Sequence, residues 1–406
     1  MTARAETIVA LTTSAALGGA ETSLLTLLAA LRRLEPAWRI AVVAPAAGPL
    51  LERCRELGIT VVQLPYPAAL SALGESGATG ARRRSGNQIA LVGHALRAGL
   101  ALPSYVRALG DTLQRLEATV VHTNGLKAHV AAALAKPRGS RLVWHLHEYV
   151  RSRPLSARLL RLAARRADRL VTNSDSVLED ARRTFGRRVA LRRIYNAVDT
   201  SIFSPAGAPL DLAALAGLPP DEGLVRVGLV ATFGRWKGHD VFIDAIAKLH
   251  DCPVLRAYII GGPVYETSGS QWSMEELKRR VAERRLEGVV GFTGHIADVP
   301  AAIRALDIVV HASTQREPFG MVIAEGMASA RAVVAVGTGG SGEVFEDRVD
   351  AMGFSSGDTS ALAERILELA GDPALRASLG CAARRTARER FSPERMASEF
   401  REVYLG

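Results

Sequence analysis

Two glutamates eight positions apart enclose the most distinctive run of residues in this sequence. Glu317 opens the run Glu-Pro-Phe-Gly in an expected loop, and Glu325 lies two turns into the helix that follows. Helix entrances present free backbone N–H groups that bind phosphate, and a carboxylate can accept hydrogen bonds from both hydroxyls of a ribose. We therefore predict that Glu325 binds a ribose, and that a phosphate contacts the N–H groups of three residues: Gly320, Met321 and Val322.

A second candidate anion site combines two cations with two glycines just before an expected helix. Residues 233–240 read Phe-Gly-Arg-Trp-Lys-Gly-His-Asp. The guanidinium of Arg235 can bind two oxygens at once, and Lys237 adds a mobile point charge. The pair suits a diphosphate, and the alternative interpretation is a solvated basic turn.

A glycine pair near the start of the chain offers a third helix entrance. Gly18 and Gly19 follow the first expected strand and precede a helix that carries Glu21 in its first turn. Free N–H groups and the positive end of the helix could bind an anion there. A tight strand-to-helix turn explains the same residues equally well.

Histidines end two neighbouring strands. His145 and His147 lie on the same face of one strand, and His147 falls at its carboxyl end, where a side chain can reach a ligand. His122 ends the preceding strand, two residues before Asn124. We predict a catalytic or substrate-binding role for His147, and we take His122 and Asn124 as weaker candidates for acceptor contacts.

A glycine-rich run at 337–342 formally matches the dinucleotide fingerprint Gly-x-Gly-x-x-Gly. That fingerprint belongs to the first strand–helix–strand unit of a domain, whereas this run follows the last predicted strand of the second domain. A dinucleotide-dependent oxidoreductase therefore remains an alternative. A glycine-rich edge of a substrate site, including Gly340, explains the run more simply.

These motifs need a scaffold that brings strand ends together, and the order of elements supplies one. Short apolar runs alternate with amphipathic helical stretches, which predicts an α/β protein with parallel sheets covered by helices. Ligands of such sheets bind at the carboxyl ends of the strands. The predicted strands are 7–11, 40–44, 59–64, 119–122, 141–146, 169–172, 189–194, 224–230, 255–260, 289–292, 307–311 and 332–336.

The chain of 406 residues is long enough for two or three domains, and 48% of it is hydrophobic. Residues 203–223 are rich in Pro and Gly and separate two α/β series, so we predict a linker there. We expect domains at 1–203 and 204–385 and a final helical segment at 386–406. The Gly-, Ser- and Arg-rich stretch 74–88 is a predicted mobile surface loop.

The net charge of +10 is concentrated in one segment. Residues 141–193 hold fourteen arginines against five acidic residues. A solvated arginine-rich surface, an anionic membrane contact and a nucleic-acid face all fit this charge. The apolar runs are too short to cross a bilayer and Cys54, Cys252 and Cys381 are widely spaced, so we expect a cytoplasmic protein.

Taken together, the motifs resemble those of the retaining glycosyltransferases of family 4, which have the GT-B fold. The resemblance covers almost the whole chain and is most specific at Glu317 to Glu325. It implies two Rossmann-like domains facing an interdomain cleft, an N-terminal one that binds the acceptor and a C-terminal one that binds a nucleotide-sugar donor. The final helix crosses back to the N-terminal domain.

The resemblance also assigns roles. It implies that His147 and Glu317 are catalytic, with Glu317 contacting the transferred sugar. One departure is that Thr232 occupies a position where the family usually has an arginine. The implied donor-binding residues are Gly18, Gly19, Arg235, Lys237, Ile296, Glu317, Phe319, Gly320, Met321, Val322 and Glu325, and the implied acceptor contacts are His122, Asn124 and Gly340.

The sequence contains no Asp-x-Asp, the pair with which metal-dependent glycosyltransferases commonly hold a divalent cation. We therefore expect a metal-independent enzyme of bacterial type, a hexosyltransferase of class EC 2.4, without a cofactor. Its donor is expected to be linked to UDP or GDP and its acceptor to be a hydroxyl of a glycan, lipid-linked or small molecule. We expect no nucleic-acid partner and a peripheral contact with an anionic membrane. A non-catalytic protein that binds sugar nucleotides remains the other alternative.

Overall fold

Residues 5–71, 88–152, 154–187, 189–249, 252, 254–263 and 269–406 are described by a computed structural model of the chain. They divide into two compact units, which we call unit 1 (Met1–Ala197 with Pro393–Gly406) and unit 2 (Val198–Ser392). The predicted loop 74–88 lies outside the described residues, apart from Gln88, which begins a helix.

Unit 1 contains a seven-stranded parallel sheet in the order β3-β2-β1-β4-β5-β6-β7. The interior strand β1 is buried along its whole length, as its nearly continuous apolar sequence Thr-Ile-Val-Ala-Leu-Thr predicts. The strands are β1 (Thr7–Thr12), β2 (Arg39–Ala44), β3 (Thr60–Gln63), β4 (Val120–Asn124), β5 (Arg141–Leu146), β6 (Arg169–Thr172) and β7 (Leu191–Arg193).

Helices connect these strands, as parallel pairing requires. The first helix buries leucines at helical spacing against the sheet. The helices are α1 (Gly19–Leu34), α2 (Pro49–Glu56), α3 (Ala68–Ser71), α4 (Gln88–Arg115), α5 (Leu126–Ala135), α6 (Pro154–Ala163) and α7 (Asp175–Phe185).

Unit 2 contains a six-stranded parallel sheet in the order β10-β9-β8-β11-β12-β13. Strand β13 was not predicted from the sequence, because three residues are too few to show a period. The strands are β8 (Val225–Val230), β9 (Leu255–Ile260), β10 (Val290–Gly294), β11 (Ile308–His311), β12 (Ala332–Val336) and β13 (Met352–Phe354). The helices are α8 (Leu212–Ala216), α9 (His239–Ala247), α10 (Met274–Glu283), α11 (Val299–Arg304), α12 (Met321–Ala328), α13 (Thr359–Gly371) and α14 (Pro373–Arg390).

The predicted linker 203–223 is not a free connection. It contains α8, whose Leu212 and Ala213 are buried. Asp211 caps this helix by accepting a hydrogen bond from the N–H of Ala214 at 2.9 Å. The segment therefore folds as part of unit 2.

The units divide at 197/198 and 392/393, rather than at the predicted 203/204 and 385/386. The N–H of Val198 donates to the carbonyl of Phe391 at 2.9 Å, which ties both connecting segments to unit 2. The ring of Phe391 also packs at 5.5 Å against Phe319. The predicted boundary 385/386 falls inside α14, where no division is possible without breaking a helix.

The last helix, α15 (Pro393–Leu405), returns to unit 1 and packs on α1. Its predicted apolar face is confirmed, because Met396, Phe400, Val403 and Tyr404 are all buried. The hydroxyl of Tyr404 lies 2.7 Å from Nδ1 of His122 in β4. The C-terminal helix therefore completes the core of unit 1.

In each sheet the strand order reverses beside the first strand of the unit. The reversal falls between β1 and β4 in unit 1 and between β8 and β11 in unit 2. The loops that follow the two strands at this point run to opposite faces of the sheet. Ligands of doubly wound sheets bind in the crevice between these loops. Each unit thus has one preferred edge for a site.

Candidate active site

In unit 2 the loop after β8 brings Lys237 to the edge of the sheet. Gly238 ends this loop and precedes α9 with a φ of 76°, in the left-handed region. A Cβ atom there would lie 1.9 Å from the carbonyl oxygen of Ala312, which follows β11. Only glycine allows this close approach, and it sets Lys237 beside the loop that carries Glu317.

Glu317 accepts hydrogen bonds from Lys237 and Ser313 and has His311, the last residue of β11, nearby. Lys237 Nζ lies 2.5 Å from its Oε1, Ser313 donates to the same oxygen, and His311 Nε2 lies 3.3 Å from Oε2. Burial alone would raise the pKa of Glu317, but the Lys237 cation and His311 outweigh it and hold the pKa well below its usual range. The carboxylate is therefore buried and ionised.

The helix after Glu317 starts as the sequence predicts. Gly320 adopts a φ of 87° immediately before α12, whose first residues are Met321 and Val322. Glu325 lies within α12, where burial raises its pKa to about 7 against the opposing effect of Lys237. Lys237, Glu317 and Glu325 thus form one electrostatically coupled group, which we call the lysine–glutamate site.

Arg235 is held by contacts that the sequence did not suggest. Its Nη2 lies 2.9 Å from Glu276 Oε1 at the start of α10, and its guanidinium stacks 3.9 Å from the ring centre of Trp272. Glu276 also belongs to the capping box of α10 with Ser273. In this structure Arg235 fastens α10 to the loop that carries Lys237.

Three other residues of unit 2 that were predicted to contact a substrate differ in how deeply they are buried. Phe319 is 2% exposed and packs on Phe391, so its ring belongs to the core. Only the backbone of Phe319 could contact the nucleotide-sugar donor. Ile296 is half-buried after β10. Gly340 is buried, and its N–H donates to the carbonyl of Glu317 at 2.8 Å.

The glycine fingerprint at 337–342 does not have the context that dinucleotide binding requires. It follows β12 rather than β8, and it leads into a four-residue 3-10 turn, Gly340–Glu343, instead of a long helix. The backbone of Gly337 would lie 2.8 Å from a Cβ atom at Gly342, which explains that glycine by packing alone. The oxidoreductase alternative is not favoured.

In unit 1 a cavity of about 120 Å³ lies at the carboxyl ends of β1, β4 and β5. Gly125 forms part of its wall with a φ of 104°, and a Cβ atom there would clash with Thr13. The predicted residues Asn124 and His147 both line this cavity. Its lining residues are Thr13, Ala20, Glu21, Asn124, Gly125, Leu126, His129, Leu146, His147 and Glu148.

His147 continues into a buried group of rings that we call the histidine cluster (His122, His145 and His147). The ring centres of His145 and His147 lie 3.9 Å apart, and His145 meets His122 edge-on at 5.4 Å. Burial lowers the pKa of His122 and of His147 to about 3. The cluster is therefore uncharged at neutral pH.

His122 does not line the cavity of unit 1, although it was predicted to contact the acceptor. It is completely buried, and its Nδ1 is bonded to Tyr404. Asn124, in contrast, donates to the carbonyl of Ala20 at 3.2 Å, and its Oδ1 has no partner among the described residues. Of the two, only Asn124 lies at the cavity.

Gly18 and Gly19 are exposed at the start of α1, and a carboxylate already lies beside them. A Cβ atom on Gly18 would lie 2.9 Å from Oε2 of Glu21, so the Glu21 side chain turns back against the helix entrance. Burial raises the pKa of Glu21 above its usual value. A donor phosphate at this helix entrance would have to displace Glu21.

Across the described ranges, no three side chains of His, Cys, Asp or Glu converge as a metal-ion site would require. None of the helices in those ranges combines the length and apolar character needed to cross a bilayer.

The fold and the lysine–glutamate site define a class of protein, the GT-B glycosyltransferases. HepE of Anabaena in complex with UDP is 25% identical, with a TM-score of 0.79 over 98% of this chain and 99% of that one. HepE bound to UDP and glucose is 26% identical, with a TM-score of 0.78 over the same shares.

Two family models match the sequence, one in each half. Residues 17–202 match Glycosyltransferase Family 4, and residues 224–372 match Glycosyl transferases group 1. The chain therefore belongs to the family 4 glycosyltransferases, as the motifs indicated.

Curated relatives carry several different acceptor names. A lipopolysaccharide core biosynthesis mannosyltransferase of Rhizobium leguminosarum is 32% identical over 52% of this chain and 58% of that protein. A D-inositol 3-phosphate glycosyltransferase of Streptomyces avermitilis is 31% identical over 59% of this chain and 52% of that protein. The match thus spans little more than half the length of these two relatives.

Proposed function

We propose that this protein transfers a hexose from a nucleotide-sugar donor to a hydroxyl acceptor with retention of the anomeric configuration. The observation that carries the proposal is the lysine–glutamate site, in which a cation, an ionised carboxylate and a second buried carboxyl meet at the carboxyl ends of β8 and β11. These are the groups needed for a diphosphate, a sugar and a ribose.

We propose a donor linked to UDP or GDP. The HepE structures, which are 25% and 26% identical over nearly the whole chain, contain UDP, and this supports a uridine nucleotide first. Lys237 would neutralise the diphosphate, and the N–H groups at the start of α12 would add hydrogen bonds. Glu325 would accept hydrogen bonds from the ribose hydroxyls.

In the proposed reaction the bond between the anomeric carbon and the diphosphate oxygen breaks, and a bond from the acceptor oxygen forms on the same face of the sugar. The acceptor proton passes to the departing phosphate oxygen. The ionised Glu317 would stabilise the positive charge that develops on the sugar, while Lys237 would stabilise the negative charge on the leaving group. No metal ion is needed for these steps, because Lys237 and the helix entrances supply the positive field.

Nucleotide binding tests the proposal most directly. We expect UDP or GDP to raise the melting temperature of the protein and NAD to leave it unchanged, since a ligand at 100 times its dissociation constant stabilises by about 2.7 kcal/mol. Stabilisation by NAD without any nucleoside diphosphate effect would instead support an oxidoreductase. Nucleotide binding without transfer to any acceptor would support the non-catalytic alternative.

We further propose a peripheral contact of unit 1 with anionic membrane at its cytoplasmic face. Helix α6 exposes Leu159 and Leu162 by 54% and 62%. Arg158 and Arg165 are exposed beside them and form no ion pair within the described part of the chain. Exposed leucines flanked by arginines are typical of a surface that binds anionic lipid.

A further inference from the structure

The cavity of unit 1 has polar atoms that lack partners. Asn124 is 1% exposed, and its Oδ1 atom accepts no hydrogen bond from any described residue. Both ring nitrogens of His147 are also buried and unpaired within the described part of the chain. Asn124 and His147 nevertheless line the cavity, and an amide and a neutral imidazole each donate and accept hydrogen bonds, so a ligand that does both suits this lining. A hydroxyl group does both.

The charges around the cavity are negative. Glu21 and Glu148 line it, and its described lining contains no arginine or lysine. His147 adds no positive charge, because burial lowers its pKa to about 3. The carboxylate of Glu21 lies at the positive end of α1, where its Oε2 would be 2.9 Å from a Cβ atom on Gly18. A phosphate in this cavity would meet carboxylates and an already occupied helix entrance.

We infer that this cavity binds an uncharged, hydroxyl-bearing part of the acceptor and rejects phosphorylated acceptors. The inference rests on the proposed function, since it names the acceptor class for that reaction. The donor diphosphate does not suit the cavity, because the described lining offers it no cation. The acceptor hydroxyl is the remaining polar group of the reaction, and it matches Asn124 and the neutral His147.

The inference separates this protein from one of its relatives, which is named for D-inositol 3-phosphate. Ligand-observed NMR can compare the binding of two neutral probes with that of their phosphorylated forms. The pairs are myo-inositol with D-inositol 3-phosphate, and mannose with mannose 6-phosphate. We expect saturation transfer to at least one neutral probe, and about tenfold weaker binding of its phosphate, because like charges placed together oppose binding. Stronger binding of the phosphates, or no transfer to either neutral probe, would overturn the inference.

Two variants locate the effect. Glu21→Gln removes the charge from the entrance of α1, so it should reduce the difference in affinity between the neutral and the phosphorylated probes. Glu52→Gln is the matched control, because Glu52 is an exposed acid in the first turn of α2. Asn124→Ala should weaken the neutral probe and leave calorimetric binding of UDP and GDP unchanged. The same difference in affinity in the wild type and in Glu21→Gln would also count against the inference.

The outcomes separate this inference from the proposed function. If UDP and GDP both fail to bind while a neutral probe binds, the donor proposal is wrong and the cavity assignment stands. If a nucleoside diphosphate binds and a phosphorylated probe binds as well as its neutral counterpart, only the acceptor class is wrong.

Discussion

Lys237 Nζ lies 2.5 Å from Glu317 Oε1, so the cation expected to bind the donor diphosphate is paired with a buried carboxylate before any donor arrives. Ser313 donates a hydrogen bond to the same carboxylate, and His311 Nε2 lies 3.3 Å from its other oxygen. The donor can therefore draw Lys237 toward its phosphates while two partners remain to stabilise Glu317. The Lys237 cation helps to hold the pKa of Glu317 well below its usual range in the absence of ligand.

Lys237→Ala should weaken binding of the nucleoside diphosphate roughly ten- to a hundredfold, because a hydrogen bond to a charged group is worth about 1.5 to 3 kcal/mol. It should also lower the free energy of unfolding, since Glu317 then loses its nearest buried countercharge. Calorimetry and urea unfolding measure the two effects. Lys248→Ala is the control, because Lys248 is exposed at the end of α9. Unchanged nucleotide affinity would contradict the assignment.

Glu325→Gln should raise the donor KM more than it lowers kcat, because the amide loses one acceptor for the ribose hydroxyls while keeping its shape. In the wild type the donor KM should rise as the pH falls below about 7, where Glu325 takes up a proton. The glutamine variant should lack this rise. Steady-state kinetics between pH 6 and 8 provide the measurement. Normal donor KM with abolished turnover would identify Glu325 as a catalytic carboxylate.

The same carboxyl affects stability in a predictable direction. Its pKa is raised from 4.5 to about 7 in the folded state, so its contribution to stability is present at low pH and is lost as the pH rises through 7. Glu325→Gln should therefore be at least as stable as the wild type at pH 8. A large loss of stability there would show that the ionised carboxylate has a partner beyond Lys237.

The histidine cluster should make unit 1 sensitive to acid. The folded chain keeps these rings neutral well below the usual pKa of 6.5, while the unfolded chain protonates them. Each ring should thus lower the free energy of unfolding by about 1.4 kcal/mol per pH unit below 6.5. His145→Leu should reduce the loss of unfolding free energy between pH 7.5 and pH 5.5, as measured by urea unfolding. His295→Leu, at an exposed histidine, should not.

An α-linked donor should give an α-linked product. Glu317 lies beside Lys237, which places the sugar-stabilising carboxylate with the leaving-group cation and favours attack from the leaving-group side. Proton NMR of the product reports the anomeric configuration. A β-linked product would instead require an in-line base, and His147 would then be the first candidate.

Leu159→Ser with Leu162→Ser should weaken sedimentation of the protein with vesicles that contain phosphatidylglycerol at low salt. Each arginine near such a surface contributes about 1 kcal/mol, and this contribution falls as salt rises. Leu215→Ser with Leu367→Ser is the matched control, because these leucines are similarly exposed in unit 2. If the wild type fails to sediment at low salt, the basic segment 141–193 is only a solvated surface.

Local patterns were sufficient to predict most of the fold. The strands β5, β6, β9 and β12 begin and end where the sequence indicated, because each is a short apolar run bounded by polar or turn residues. The signals for α8 were also present, with Asp211 before it and Gly217 in the left-handed region after it. They were outweighed by the Pro and Gly content of the segment.

The site was only partly predictable, for a physical reason. The spacing of Glu317 and Glu325 identified both carboxyls. Because ligands of parallel sheets bind at the carboxyl ends of the strands, His311 and Ser313 could also have been predicted from the sequence. The pairing of Arg235 with Glu276 and Trp272 could not be anticipated, because it joins residues about forty positions apart through tertiary packing. The occupation of the α1 entrance by Glu21 likewise depends on a side-chain direction that the sequence does not reveal.

The return of α15 to unit 1 has a consequence for synthesis on the ribosome. Phe400 and Tyr404 fill the core beside β4 and β5, yet they are translated more than two hundred residues after Ala197. Unit 2 can assemble from one continuous stretch of chain, whereas the nascent unit 1 must wait with an apolar face uncovered. The N-terminal unit is therefore the last to reach its native state, and during elongation it is the part of the chain that chaperones would protect.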